Sequence, residues 1–121
     1  MKLATLPQWA SELVISGRVG RLGFADDSGH PRVLPITDAA LGETVWSAID
    51  LKPKRSDEPA RVRWLRARPE AALVIDHYSD NWDELAWVQL LGTVEVVPVD
   101  EGREGLAALT TKYDQYVAQP L

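Results

Sequence analysis

Hydrophobic positions near the start of the chain repeat with a helical period. Five apolar residues have the i, i+3, i+4, i+7, i+8 spacing of an amphipathic helix: Leu6, Trp9, Ala10, Leu13 and Val14. Gly17 follows this stripe and is a typical residue at the end of a helix. The pattern therefore predicts a first helix over residues 6–15, with Trp9 in the core.

Short apolar runs separated by turn residues come next and predict strands. The run VGRLGFA puts Leu22 and Phe24 on one face, and the turn triplet Asp27-Ser28-Gly29 separates it from the run PRVLPIT. A second turn at Leu41-Gly42-Glu43 leads into ETVWSAID. We expect three sequential antiparallel strands here.

The second half of the chain repeats this alternation of helix and strand. A helix is predicted from Pro59 to about Arg68, followed by the strand AALVIDHY and the long strand WVQLLGTVEVVPV, in which Gly92 marks a bulge or a bend. A last helix is predicted over residues 101–116. Five strands with flanking helices indicate a single α+β domain, mainly β, over residues 1–121, built as a small antiparallel barrel.

Composition and charge narrow the classes of function. The chain has no cysteine and a net charge of -5, and no apolar run is long enough to span a bilayer. We expect a soluble cytoplasmic protein that binds neither membranes nor nucleic acids. Seven cations nevertheless lie between Lys52 and Arg68, against only Asp57 and Glu58. Such a segment in an acidic protein favours an anionic ligand, with a solvated basic loop as the alternative.

Two segments are candidates for holding such a ligand. Prolines bracket the second predicted strand at Pro31 and Pro35, and proline cannot donate to a sheet ladder, so this edge should face a ligand or solvent, unless it forms a bulge. The second segment offers hydroxyl and cationic groups for a phosphate. Its candidate residues are Ser47, Ala48, Lys52, Lys54, Arg55 and Arg61.

The order of these motifs resembles the pyridoxamine 5'-phosphate oxidase-like superfamily. The succession G-x-P-R-V-x-P-I, T-V-W-S-A-I-D, K-P-K-R, R-W-L-R-A-R-P-E-A-A-L and W-V-Q-L-L-G-T-V-E covers residues 19–116. It is most similar to the actinobacterial branch of F420-dependent enzymes. The resemblance implies a split β-barrel homodimer with a coenzyme site at each subunit interface. F420 is the expected coenzyme, with FMN as the alternative.

The resemblance also implies which residues border the coenzyme. The ring would lie against Arg32, Val33, Leu34, Pro35 and Ile36, and the phosphate would face Ser47, Lys52, Lys54 and Arg55, with Arg61 as a weaker match. Trp87 and Gln89 would reach the ring from the partner subunit. Members of the superfamily continue into one more barrel strand, whereas this sequence stops at Leu121.

The sequence offers no acid-base catalyst and no metal site. His30 and His77 are expected to be surface or structural residues, and the spacing of Asp76, His77 and Asp80 matches no metal template. The favoured prediction is an oxidoreductase in which reduced F420 delivers a hydride to a small unsaturated molecule, because in flavin-type reactions the coenzyme supplies the hydride chemistry. An FMN-linked reductase or oxidase is the alternative. The other hypotheses are a non-catalytic coenzyme carrier and, least favoured, a nucleic-acid-binding module using the arginine-rich helix.

Overall fold

The computed structural model describes residues 2–49 and 58–118, which contain four α-helices and six β-strands. Its helices are α1 (Gln8–Ser16), α2 (Ala60–Ala67), α3 (Arg103–Lys112) and α4 (Gln115–Ala118). Its strands are β1 (Gly20–Ala25), β2 (Pro31–Ile36), β3 (Ala39–Leu41), β4 (Thr44–Trp46), β5 (Glu70–His77) and β6 (Ala86–Thr93). None of the described helices is long and apolar enough to cross a membrane.

The main sheet is antiparallel and has the strand order β2-β1-β5-β6. Two hairpins, β1-β2 and β5-β6, meet where β1 pairs with β5, and Gly20 lies opposite both Ile36 and Ile75. Gly29 in the first hairpin turn has φ +82, a conformation that favours glycine. The predicted D-S-G turn is thus confirmed. A separate two-stranded sheet pairs β3 with β4.

The core lies on one face of the main sheet, beneath α1. Ala10 and Val14 of the helix pack against Leu73, Ile75 and Val88 of the sheet. Because side chains alternate along a strand, β1 contributes Leu22 and Phe24 to this same face. Each strand therefore turns its other residues toward the opposite surface, which we call the outer face.

A second cluster fixes the chain's last helices to the small sheet. Leu109 and Tyr113 pack with Ala39. A Cβ atom added to Gly105 would lie only 2.2 Å from the Trp46 ring, so α3 lies directly against this indole. The helix α3 therefore holds β4 in place, and with it the chain that leads toward the basic segment.

Several expectations about the elements are wrong. The third strand does not extend β1-β2. It ends at Trp46 and pairs instead with β3, a strand that the sequence pattern did not predict. The described residues accordingly contain six strands, and the sheets are not closed into a barrel by any pairing among them.

Three details of the pattern also differ. Trp9 is 55% exposed because it lies at the margin of the apolar stripe of α1. Gly92 pairs regularly with Ala71, without a bulge, and β6 ends at Thr93. The last helix breaks at Tyr113, which takes an extended conformation and whose hydroxyl accepts from the Asp38 N–H.

Candidate functional site

Among the described strands β2 lies at an edge of the sheet, and its backbone directions follow from its pairing with β1. In an antiparallel ladder, hydrogen-bonded and non-hydrogen-bonded pairs alternate. The Asp26 N–H donates to the His30 carbonyl at 2.9 Å, which makes this the first hydrogen-bonded pair of the hairpin. The register then directs the backbone groups of Arg32, Leu34 and Ile36 toward β1. Those of Pro31, Val33 and Pro35 point to the free edge.

The prolines leave a sparse pattern of polar groups along that edge. Neither Pro31 nor Pro35 has an N–H, so Val33 supplies the single backbone donor that β2 directs outward. Outward carbonyl oxygens of all three residues accompany it. The edge can therefore pair with a ligand that has one acceptor and several donors, or with water. This placement agrees with the expectation that Pro35 lies at an edge facing away from other strands.

The side chains of β2 divide between the two faces of the sheet. Leu34 and Ile36 face the core, whereas Val33, 72% exposed, and Pro35 project from the outer face. Arg32 also points to the core side, where its guanidinium lies 5.1 Å from the Trp64 ring centre. Its Nε donates to Asp26 Oδ2 at 3.0 Å. Of the five predicted ring-bordering residues, only Val33 and Pro35 present side chains to the outer face.

Asp26 organises the hairpin turn and was missed by the sequence reasoning. Its buried carboxylate accepts from the backbone N–H groups of Ser28 and His30, each at 2.9 Å, and from Arg32. Its own carbonyl accepts from Arg68 at the end of α2. Burial by itself would raise the pKa of Asp26, but these hydrogen bonds outweigh it and hold the pKa below its usual value.

Asp26 should make the stability of the folded protein depend on pH under acidic conditions. A folded-state pKa below the unfolded value of 3.8 gives stability that is present above pH 3.8 and is lost as pH falls through the folded pKa. Asp26→Asn should therefore be less stable than wild type at pH 7, and the difference should shrink below pH 4. Chemical denaturation at pH 7 and pH 3 measures it. Asp27→Asn, the same change at an exposed neighbour, is the control, and a difference that stays constant with pH would contradict the role assigned to Asp26.

The outer face carries an apolar row across all four strands. Val33, Gly23, Ala72 and Leu91 lie directly opposite one another in the register. Leu91 is 77% exposed. A shallow open groove of about 570 Å³ runs over the small residues between the two larger ones. A solvated antiparallel sheet ordinarily alternates apolar-in and polar-out, so an exposed apolar row marks a contact surface.

Trp87 and Gln89 share this outer face but lie at its far side, on β6. Gln89 is in the same row as Pro35, and Trp87, 64% exposed, pairs with Asp76. Three strand spacings, about 14 Å, separate β6 from β2. Neither side chain can close over the free edge of its own β2. A ring bound at that edge and touched by Trp87 would need the Trp87 of another copy.

The predicted phosphate residues are only partly described. Ser47 is exposed just beyond β4, and Ala48 is half-buried against the second cluster. Arg61 is half-buried in the first turn of α2. Lys52, Lys54 and Arg55 lie outside the described residues.

Three other arginines of the basic segment have partners within the chain. Arg66 forms an ion pair with Glu58 at 2.5 Å, and Arg63 donates to the Glu58 carbonyl. Arg68 binds the Asp26 carbonyl. Arg66 is thus neutralised by a carboxylate, whereas Arg63 and Arg68 are oriented by backbone carbonyls and keep donors for a ligand.

The titratable side chains near the strand ends do not gather into a metal site. Asp76 and His77 are neighbours in β5 and so point to opposite faces, and Asp76 forms an ion pair with Arg21 at 2.7 Å. Among residues 2–49 and 58–118, no three His, Asp or Glu side chains are close enough to hold a metal ion.

Comparison with known proteins rests on structure. No protein-family model matches the sequence, and no curated protein does. A heme binding protein from Mycobacterium smegmatis has a TM-score of 0.69 and 26% identity, over 94% of this chain but 47% of its own, so this chain spans about half of that protein. An F420 reductase has a TM-score of 0.67 and 24% identity, over 90% of this chain and 79% of its own. A FAD-binding protein from Mesorhizobium loti has a TM-score of 0.67 and 21% identity, over 92% of this chain and 78% of its own.

These likenesses define the fold class. The chain is a mixed α+β protein with a mainly antiparallel sheet and flanking helices, the architecture of the pyridoxamine 5'-phosphate oxidase-like proteins. The similar structures include proteins named for heme, for F420 and for FAD.

Proposed function

We propose that two copies of this chain form a homodimer that binds coenzyme F420 at its subunit interface and reduces a small unsaturated molecule. The observation that carries the proposal is the free, proline-marked edge of β2 beside an exposed apolar row on the outer face. A flat, polar-edged ring needs such a combination of apolar surface and backbone hydrogen-bonding groups. The motif resemblance and the similarity to an F420 reductase support this choice of coenzyme.

The chain's own groups would bind and orient the ring. The Val33 N–H and the outward carbonyl oxygens would meet polar ring atoms, and the Val33 and Pro35 side chains would lie against its plane. Trp87 and Gln89 of a second copy would cover the other side, since those of the same copy are about 14 Å from the edge. Bound F420 would supply the hydride, and the protein would supply position and exclusion of water.

The proposed site requires a dimer because its second wall would come from another copy of the chain. A four-stranded sheet about 19 Å wide and about 20 Å long offers roughly 400 Å² of face. A standard stable interface buries about 800 Å² from each partner. The outer face therefore supplies about half of the buried area that a stable dimer needs. The edge of β2 with its bound ring would add to that area.

F420 is preferred to FMN because of its additional negative charges. Its phosphate and oligoglutamate tail extend beyond the single phosphate of FMN, and the segment between Lys52 and Arg68 is strongly basic. Of the described arginines of this segment, Arg66 is neutralised by Glu58, whereas Arg63 and Arg68 only donate to backbone carbonyls. The preference should depend on the cations of this segment that are not paired as Arg66 is, and above all on Lys52, Lys54, Arg55 and Arg61.

F420 should bind more tightly than FMN, and this advantage should shrink as salt rises. Exposed charges are screened over about 8 Å at physiological ionic strength, whereas the contacts of the ring with β2 are not. Titration of the purified protein with each coenzyme at low and high salt measures both effects. Arg61→Gln should reduce the advantage of F420. Arg66→Gln, the same change in the same helix at a guanidinium already paired with Glu58, is the matched control.

Two outcomes would contradict this choice of coenzyme. Tighter binding of FMN at every salt concentration would favour an FMN-dependent reductase or oxidase with the same fold and dimer. Protein purified from a host that makes both coenzymes should carry a deazaflavin absorption and mass. If it carried heme instead, the ring site proposed at β2 would be wrong.

A further inference from the structure

A second cavity lies beyond the end of β2 and shares no lining residue with the outer-face groove. Its volume is about 310 Å³. The side chains around it come from the connection between α1 and β1, from the residue after β2, and from the corner between α3 and α4. They are Arg18, Thr37, Tyr113, Gln115 and Tyr116. A cavity of this size is at the lower end of the range for small-molecule sites.

Arg18 brings a fixed positive charge to this cavity. Its guanidinium lies 4.5 Å from the centre of the Tyr113 ring and donates to the Lys112 carbonyl at 2.8 Å. A guanidinium has five N–H groups, so donors remain for a ligand. Arg18 forms no ion pair with a carboxylate among the described residues. Its orientation is set by the fold, and the described part of the chain leaves its charge without an ion-pair partner.

Neutral donors surround the same space. Thr37 Oγ1 and the Tyr116 hydroxyl are 2.7 Å apart and share one hydrogen bond, which uses one of their two protons. The other proton and the exposed amide of Gln115 are available to a ligand. Among residues 2–49 and 58–118, no Asp or Glu lines the cavity. In a chain of net charge -5, a cavity of donors without a carboxylate is suited to an anion.

The charge behind the cavity wall does not cancel that of Arg18. Asp38 is fully buried and its Oδ1 accepts from Lys112 Nζ at 3.3 Å, while its Oδ2 has no hydrogen-bond partner within the described part of the chain. Lys112 Nζ in turn lies 5.4 Å from the Tyr113 ring centre. Two cations thus flank Tyr113 against one carboxylate. Asp114, at the corner between the helices, does not line the cavity.

Aromatic rings form the apolar part of the cavity. The ring centres of Tyr113 and Tyr116 are 6.0 Å apart and their planes meet at 71°. Tyr113 is held by its hydroxyl, which accepts from the Asp38 N–H and lies 3.0 Å from the Arg18 carbonyl. An aromatic wall beside a guanidinium fits a flat molecule with a negative group at one end.

We propose that this cavity is a binding site for a small flat carboxylate, with the carboxylate on Arg18 and its apolar part against Tyr113 and Tyr116. The guanidinium fork matches the geometry of a carboxylate, and the remaining hydroxyl proton and the Gln115 amide complete its hydrogen bonds. The site does not require the coenzyme of the proposed function. Binding to it is therefore testable on coenzyme-free protein.

Benzoate is a direct probe of this site, measured by amide chemical shifts of isotope-labelled, coenzyme-free protein. Benzoate should bind saturably and shift the Thr37 and Gln115 signals, whereas acetate should bind more weakly and neutral benzyl alcohol should not saturate. Arg18→Gln should weaken benzoate by about ten-fold to a hundred-fold, the range for a lost hydrogen bond to a charged group. Tyr116→Phe, which keeps the ring, should weaken it by about three- to ten-fold.

Arg103→Gln is the control, because it removes the same charge from the opposite end of α3, about 15 Å away along the helix. The Arg103→Gln variant should bind benzoate with the affinity of wild type. Equal affinity in Arg18→Gln, or non-saturable shifts in wild type, would overturn the proposal. Tighter binding of inorganic phosphate than of benzoate would overturn the choice of a carboxylate. Thermal melting checks that the Arg18→Gln variant is folded. If that variant does not fold, the affinity of Tyr116→Phe for benzoate tests the site.

Discussion

Leu91→Lys should convert the protein from a dimer into monomers and abolish coenzyme binding. Leu91 is 77% exposed at one end of the apolar row on the outer face, so the change should disturb the monomer little. Burying a leucine is worth about 1.5–3 kcal/mol, and two-fold symmetry counts each substitution twice. The dissociation constant of the dimer should rise about a hundred-fold or more. Sedimentation velocity over a range of concentrations measures it.

Ile15→Lys serves as the comparison for this experiment. Ile15 is also an exposed apolar residue, but it lies on α1 and not on the outer face. The Ile15→Lys substitution should leave both the dimer and coenzyme binding intact. A wild-type protein that is monomeric at micromolar concentration and still binds coenzyme would refute the shared site, whichever coenzyme it prefers.

Lys54→Ala and Arg55→Ala should each weaken coenzyme binding by about 1.5–3 kcal/mol, which corresponds to roughly ten-fold to a hundred-fold. Both residues lie outside the described part of the chain. Their assignment rests on the basic segment that follows β4 and on the motif resemblance. A cation that hydrogen-bonds a phosphate loses that charge-assisted bond on truncation. Titration with F420, beside thermal melting to show that folding is preserved, measures the effect.

Lys2→Ala is the control for Lys54→Ala and Arg55→Ala, because it removes one positive charge elsewhere in the chain. Lys2 is exposed at the other end of the small sheet, beside residues whose N–H groups donate to Glu43. Its removal should not change coenzyme affinity. If the loop variants bind as tightly as wild type, the phosphate is held elsewhere and the basic segment is a solvated loop.

The sequence predicted well those elements whose signal is local. The turn of the β1-β2 hairpin follows from Gly29, and α1 and α2 follow from their apolar spacing and from Pro59. The three-residue strand β3 was missed because Ala39–Leu41 shows neither alternation nor β-branched residues. Its pairing with β4, and the break of the last helix at Tyr113, depend on contacts distant in sequence that no local pattern contains.

The sequence predicted which segment borders the candidate site, whereas the structure shows in which direction each residue of that segment points. Proline spacing correctly indicated an edge strand, and the period of two already implied that Arg32 and Val33 point to opposite faces. Asp26 was missed, although an aspartate that begins a turn often binds backbone N–H groups further along it. The cavity beside Arg18 could not be predicted, because Thr37 and Tyr116 meet only in the folded chain.

The two prolines of β2 also limit how copies of the chain can assemble. A sheet grows into fibres when an edge strand offers regularly spaced donors and acceptors to the next strand. Here Pro31 and Pro35 leave Val33 as the only donor that β2 directs outward, so an added strand would lack most of its ladder. Open-ended growth of the sheet by strand addition at this edge is accordingly suppressed.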